Sequence, residues 1–221
     1  GSRCDGAFAE YLVVPTWNLV PFDDSLSYEE AALCEPAAVS LHAINIANLK
    51  DGQNVMIIGT GTIGFLIGSF AKTKIGNGKV IVCGRSDNKL DYAKKLGFET
   101  INLKTENVSE SIKNIVGCDS VDVTFEAVGS NNSIETAIKS TGAFGRVVLV
   151  GRKQMTLAGS WNSNFNSKVN DWQEALRIFE SGSLNLKDLI THTFPISESE
   201  KAFDTLKSKD IFTIKVMFTF D

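Results

Sequence analysis

The run Val55-Met56-Ile57-Ile58-Gly59-Thr60-Gly61-Thr62-Ile63-Gly64 constrains this chain more than any other stretch. Four apolar residues pass directly into Gly-x-Gly-x-x-Gly. Apolar residues at helical spacing follow: Ile63, Phe65, Leu66, Ile67, Phe70 and Ala71. Buried strand, tight turn and helix in that order predict a βα unit of a parallel sheet. Gly59 permits the turn, Gly61 leaves the backbone open to a ligand, and Gly64 lets the helix lie close against the strand. The helix N-terminus offers unpaired N–H groups and the positive end of its dipole. Gly59, Thr60, Gly61, Thr62, Ile63 and Gly64 together therefore suit a dinucleotide pyrophosphate. A plain glycine-rich turn, or a methyltransferase loop for S-adenosylmethionine, is compatible with the same run.

The next strand discriminates between nucleotides. Val80-Ile81-Val82-Cys83 is β-branched and reads as the second parallel strand. An Asp or Glu for a ribose 2′-hydroxyl is expected about 20 residues past the third glycine. This chain has Gly84 there, then Arg85 and Ser86. Loss of the carboxylate removes a repulsive charge. Arg85 adds a planar cation suited to phosphate, Ser86 a hydroxyl, and Lys89 further charge one turn on. The expected cofactor is NADP(H) rather than NAD(H). In the alternative, Arg85 stacks on adenine and both cofactors are accepted. The missing acid also counts against a methyltransferase.

Strand and helix signals alternate from Asp51 to Gly151. Helices are expected over 87–96 (ended by Gly97), 108–116 (with Ser109 a candidate N-cap) and 132–140. Strands are expected at 99–102, 121–125 and 146–151. The pattern predicts an α/β fold, a Rossmann doubly wound parallel sheet of order 3-2-1-4-5-6. Met155–Gly159 reads as strand six, yet only Arg152-Lys153-Gln154 separate it from Gly151. A parallel crossover needs a dozen or more residues. Either strand six is antiparallel or a segment is missing between 151 and 152; the second is the expectation. Further on, 169–181 and 197–207 are amphipathic, the latter with a capping box at Ser197 and Glu200. Phe212, Ile214, Val216, Phe218 and Phe220 then alternate with Thr213, Lys215, Met217 and Thr219, the second set being the expected non-core face.

Composition narrows the class. Of 221 residues 43% are apolar and 22% charged, with a net charge of −4 and no basic block, so nucleic acid is not an expected partner. No apolar stretch has transmembrane length, and no signal peptide is visible, so no membrane partner is expected. Cys4, Cys34, Cys83 and Cys118 form no C-x-x-C pair. Cys83 reads as a core residue, and a reducing cytoplasmic compartment fits best. The chain opens at Gly1-Ser2-Arg3 and reads as a piece of something longer.

Several stretches together resemble the zinc-dependent medium-chain alcohol and polyol dehydrogenases. They are Gly6-Ala7-Phe8-Ala9-Glu10-Tyr11, Glu35-Pro36-Ala37-Ala38-Val39-Ser40-Leu41-His42-Ala43, the glycine loop, Phe125-Glu126-Ala127-Val128-Gly129 and Ile190-Thr191-His192-Thr193-Phe194-Pro195. Gly1-Ser2-Arg3-x-Asp5-Gly6 and Gly159-Ser160-Trp161 are most similar to the galactitol-1-phosphate 5-dehydrogenase branch, with sorbitol dehydrogenases next. The resemblance implies residues 1–37 and 186–221 as remnants of a GroES-like β-rich catalytic domain around an NADP-binding domain at 38–185. It also implies extra residues after Gly151.

The family's activity would be oxidation of a sugar alcohol or its phosphate by hydride transfer to nicotinamide. Zinc would act as the Lewis acid. Glu35 matches the third zinc ligand of the polyol branch; it also reads as a helix N-terminal acid before Pro36. The Cys and His ligands of the family belong to the part that is absent, so this chain alone is expected to leave zinc unbound and to be inactive. No catalytic residue is assigned. The resemblance places cofactor contacts at Ala127, Val128, Val150, Gly151 and Lys215, and Arg3 opposite a substrate phosphate. Lys215 and Arg3 equally suit solvated surface positions, and His42 and His192 read as structural. A homodimer or homotetramer is expected, pairing through the sheet edge near strand six. A zinc-free quinone-reductase-like enzyme and an isolated NADP(H)-binding module are the alternatives.

Overall fold

The computed structural model describes residues 6–150, 170–184, 186–208 and 210–220. Its contacts divide the chain into two compact units, Cys34–Ala175 and a discontinuous unit of Gly1–Leu33 with Leu176–Asp221. Among the described residues the helices are α1 (Tyr28–Ala32), α2 (Cys34–Ala47), α3 (Thr62–Lys72), α4 (Asp87–Lys95), α5 (Val108–Val116), α6 (Asn131–Ser140), α7 (Asp171–Glu180) and α8 (Ser199–Lys207). The strands are β1 (Val55–Ile58), β2 (Val80–Gly84), β3 (Glu99–Asn102), β4 (Val121–Glu126), β5 (Thr141–Leu149), β6 (Ile190–Pro195) and β7 (Lys215–Thr219).

In the larger unit β3-β2-β1-β4-β5 form one parallel sheet. The first five places match the expected order. Expected strand six, the Gly151–Arg152 junction, Gly159-Ser160-Trp161 and Arg3 all lie outside the described residues. β1 and β2 are buried at every position, as strands covered on both faces must be. Met56, Ile58, Ile81, Cys83 and Ile101 pack against Ile112 of α5 and Ala137 of α6 on one face. Ile57 points to the other face, where α3 passes so close that a Cβ on Gly64 would stand 3.5 Å from Ile57 Cγ2. The Phe65 ring meets Tyr92 edge-on at 5.3 Å and joins α3 to α4. Each such buried aliphatic or aromatic side chain contributes about 1.5–3 kcal/mol.

Several boundaries differ from expectation. Asn107, not Ser109, caps α5: its Oδ1 accepts from the Glu110 amide at 3.2 Å. The helix itself keeps its expected bounds, Val108–Val116, with Ile112 buried. β5 begins at Thr141 rather than Arg146, because its pairing slips between Val121 and Val123. Phe144 sits in the slipped stretch with φ 63° and is fully exposed. The Arg146 guanidinium donates to the Ala47 carbonyl at the end of α2.

In the smaller unit β6 and β7 are parallel and α8 lies between them in sequence. The expected capping box at Ser197 and Glu200 does not form. A 3-10 turn over Ile196–Glu198 takes up Ser197, and α8 starts at Ser199 with no side-chain cap. A capping box does open α1, between Ser27 and Glu30. Phe218 of β7 packs edge-on to Phe8 at 5.3 Å and lies 6.0 Å from Phe203 of α8. Met217, on the face expected to be non-core, is also buried, so both faces of β7 are partly covered. Among the described residues no helix is long and apolar enough to cross a membrane.

Candidate functional site

A cleft of about 1040 Å³ opens at the carboxyl ends of β1, β2 and β4. Open parallel sheets bind ligands at such an edge, where the strand order reverses. Three backbone bonds hold its floor. Gly59 N–H donates to the Cys83 carbonyl at 2.9 Å, Ala127 N–H to Ile58 at 2.9 Å, and Leu103 N–H to Gly84 at 2.8 Å.

The glycine loop crosses this floor. Gly59 has φ 132°, a conformation L side chains rarely adopt, and a Cβ there would stand 3.3 Å from the Ala127 carbonyl. A Cβ on Gly64 would lie 2.1 Å from the Gly59 carbonyl, so only glycine lets α3 begin this close to β1. Gly61 is the N-cap of α3 and brings no side chain to its first turn, Thr62-Ile63-Gly64. A Cβ on Gly61 would meet nothing within 4 Å. The loop thus has open space beside an uncapped helix N-terminus, which suits an anion.

Gly59, Thr60, Gly84, Arg85 and Val128 line the cleft. Gly84 is buried as the last residue of β2; a Cβ on it would come within 2.4 Å of Thr60 Cγ2. Arg85 is exposed at the rim, and its guanidinium makes no hydrogen bond or ion pair among the described residues. Ser86 is the N-cap residue of α4, yet its hydroxyl caps nothing. Lys89 is half-buried one turn into α4, and burial pulls its ammonium below the ordinary lysine range. Lys89, Ser86, Ala127 and the residues Gly61–Gly64 are not lining residues.

The turn after β4 is organised by Glu126. This carboxylate is buried (1% exposed), and its Oε1 accepts from Val128 N–H at 2.8 Å and Gly129 N–H at 2.9 Å. Glu126 thereby holds Ala127 and Val128 beside the loop and leaves Val128 57% exposed at the cleft. The Val150 N–H donates to the Glu126 carbonyl at 2.8 Å. Gly151 lies outside the described residues, and Lys215 belongs to the smaller unit, on β7.

Other residues singled out in the sequence are placed as follows. Glu35 stands exposed in the first turn of α2 without a hydrogen-bond or ion-pair partner among the described residues. Its neighbour Cys34 is buried and contacts the Trp172 carbonyl at 3.5 Å. Burial, then the charge of Glu35, pushes that thiol up to about 12. His42 lies 3.2 Å from the fully buried Asp171 carboxylate, which Asn45 also meets at 3.4 Å. His192 stacks parallel on Phe194, with its Nδ1 buried and unpaired.

The described residues hold no group of three or more His, Cys, Asp or Glu that could bind a metal. Glu35 alone does not fit a zinc site, which needs at least three protein ligands.

The sequence reading missed the far wall of the cleft. Lys104, after β3, and Ser130, Asn131, Asn132, Ser133 and Thr136 of the α6 start all line it. One signal was available: Ser130 lies just past strand four, where a parallel sheet turns into its next helix. Lys104 had no such signal, because its place depends on where β3 pairs.

Sheet, glycine loop and cleft together define an α/β domain of the Rossmann kind. Comparison with known proteins sharpens that class. The sequence pattern of the zinc-binding dehydrogenase family matches residues 62–181, more than half of the chain, and the chain belongs to that family. Sorbitol dehydrogenase 1 of Saccharomyces cerevisiae is 31% identical over 221 residues, covering 90% of this chain and 60% of its own length. Galactitol-1-phosphate dehydrogenase of Escherichia coli superposes with a TM-score of 0.83 at 27% identity, covering 97% of this chain and 67% of that one. A structure from Sinorhizobium meliloti 1021, described as a zinc-binding dehydrogenase bound to NADP, reaches 0.84 at 25%, covering 97% and 66%. The chain thus spans about 60% of the curated sorbitol dehydrogenase it matches.

Proposed function

We propose that this chain carries the nucleotide-binding part of an NADP(H)-dependent dehydrogenase acting on a polyol or polyol phosphate. One observation supports NADP(H) over NAD(H). Where a 2′-hydroxyl reader would place a carboxylate, buried Gly84 supplies none, and the unpaired Arg85 guanidinium stands at the rim. The Ser86 hydroxyl and the Lys89 ammonium follow within one turn and add to the same charge field. Pyrophosphate would lie over Gly59–Gly64 at the start of α3. Val128 and the backbone of Ala127 would meet the ribose and nicotinamide, with Val150 and Gly151 beyond and Lys215 reaching the phosphates. The polyol substrate rests on the relatives named sorbitol and galactitol-1-phosphate dehydrogenase.

The work assigned to these residues is positioning. The loop fixes the pyrophosphate, and the Glu126-held turn presents an apolar Val128 side chain to the nicotinamide side of the cleft. These residues would hold a nicotinamide rigidly, and the bound cofactor would supply the hydride-transfer chemistry. Glu35 would serve as a metal ligand, and Arg3 as a substrate-phosphate partner, only together with residues beyond this set. A cytoplasmic location and a homodimer or homotetramer paired at the sheet edge beyond β5 belong to the same reading. Calorimetric titration tests it: NADP should bind the chain at least about tenfold more tightly than NAD, a difference of ~1.4 kcal/mol. Equal affinities would overturn the assignment of Arg85.

A further inference from the structure

Two charged residues besides Arg85 belong to the turns that border this cleft. The first is Lys104. It lines the same cleft as Arg85, yet it comes from the turn after β3 rather than the turn after β2. Its ammonium is exposed and makes no hydrogen bond or ion pair among the described residues. The second is Asp87, the first residue of α4 and the carboxylate nearest in sequence to Arg85. That charge would repel a phosphate brought beside Arg85 and Ser86.

Asn102 connects the two. Its Nδ2 donates to Asp87 Oδ1 at 2.6 Å, and its Oδ1 accepts from the Lys104 N–H at 2.9 Å. Its own N–H donates to Glu106 Oε1 at 2.8 Å, while Ser111 Oγ donates to Glu106 Oε2 at 2.9 Å. The Glu106 N–H returns to the Asn102 carbonyl at 2.9 Å. The turn Asn102–Glu106 is thus bonded at both ends; Glu106 accepts through both carboxylate oxygens and Asp87 through Oδ1, its charge tied to Asn102 rather than removed. The charged side chains that line the cleft from the two turns are both cationic, Arg85 and Lys104.

We propose that Lys104 is a second cationic arm for the ribose 2′-phosphate, facing Arg85 across the nucleotide. Asn102 is its positioning residue: it holds the Lys104 backbone and keeps Asp87 engaged away from the phosphate. This rests on the NADP(H) reading and adds a specificity determinant to it. The ligand chemistry is a phosphomonoester dianion on an adenosine.

Adenosine 2′,5′-bisphosphate and AMP are the probes, titrated calorimetrically into the full 221-residue chain. They differ only in the 2′-phosphate. Lys104→Met should weaken the bisphosphate roughly five- to tenfold and leave AMP within about twofold. Lys104→Arg should restore most of the loss. Lys113→Met, a substitution of an exposed lysine paired with Asp119, should change neither. Asn102→Ala should lower bisphosphate affinity selectively, and adding Asp87→Asn should recover it. A purely structural role for Asn102 would show no such recovery. Should the unaltered chain bind both probes equally, the NADP(H) reading itself fails. Should it prefer the bisphosphate while Lys104→Met changes nothing, only the role of Lys104 is overturned.

Discussion

The units β1–α3–β2 and β6–α8–β7 share one plan: a strand, a helix and a parallel partner. Their burial is very different. β1 is covered at all four positions, whereas β6 buries only Phe194 of its six residues. β1 has strands on both sides and helices on both faces. β6 has one neighbouring strand among the described residues. The smaller compact unit also leaves Phe8 71%, Tyr11 89%, Val13 98% and Trp17 73% exposed. A crossover motif therefore builds a core only when both edges and both faces are occupied, and a two-stranded ribbon is marginal by itself.

Amide hydrogen exchange gives the largest expected contrast. β1 and β2 amides should exchange at least about a thousandfold more slowly than those of β6 and β7. Equal protection would break the comparison. Gly64→Ala should be the most damaging single change in the larger unit. Its methyl would lie 2.1 Å from the Gly59 carbonyl, a backbone atom that cannot rotate aside. A loss of about 3 kcal/mol is expected in urea unfolding.

Gly84→Asp should cost less, because the obstructing Thr60 methyl can turn away. About 1–2 kcal/mol of stability would be lost. NADP affinity should fall, with little gain for NAD until Thr60→Ala is added. A full switch to NAD by Gly84→Asp alone would remove the steric coupling inferred between the two turns.

The smallest effect concerns cysteine. At pH 8 iodoacetamide should label exposed Cys118 and spare buried Cys34 and Cys83 in the folded chain. Burial raises both buried thiols above their ordinary value of 9.0, Cys34 to about 12. Each proton is then held more tightly in the folded state. The associated stability is present below pH 9.0 and drains away as pH climbs from there towards about 12. A rise in unfolding midpoint across that range would contradict the burial.

Much of the larger unit was legible in advance. Val55–Gly64 announced a buried strand, turn and helix because adjacent residues carry the whole signal. Ser109 and the Ser197–Glu200 box misled because capping residues recur along polar segments. Whether one is used depends on where the helix's apolar face must land: Ile112 had to reach the sheet. The alternation in β7 was legible, but Met217 was assigned to the wrong side. Which face of a strand is covered is a property of its neighbours.

Sequence alone settled the βα repeat, the glycine loop and the missing acid at Gly84, since each is a short-range pattern of size, charge and backbone freedom. Only the tertiary structure brought Arg85 and Lys104 to one cleft and tied Asp87 to Asn102. Those residues are 15 to 19 positions apart, and their meeting follows from β3 pairing beside β2 with Cys83 opposite Ile101 and Gly84 opposite Asn102. Strand register is a long-range choice, made by the burial of whole faces rather than by any one residue.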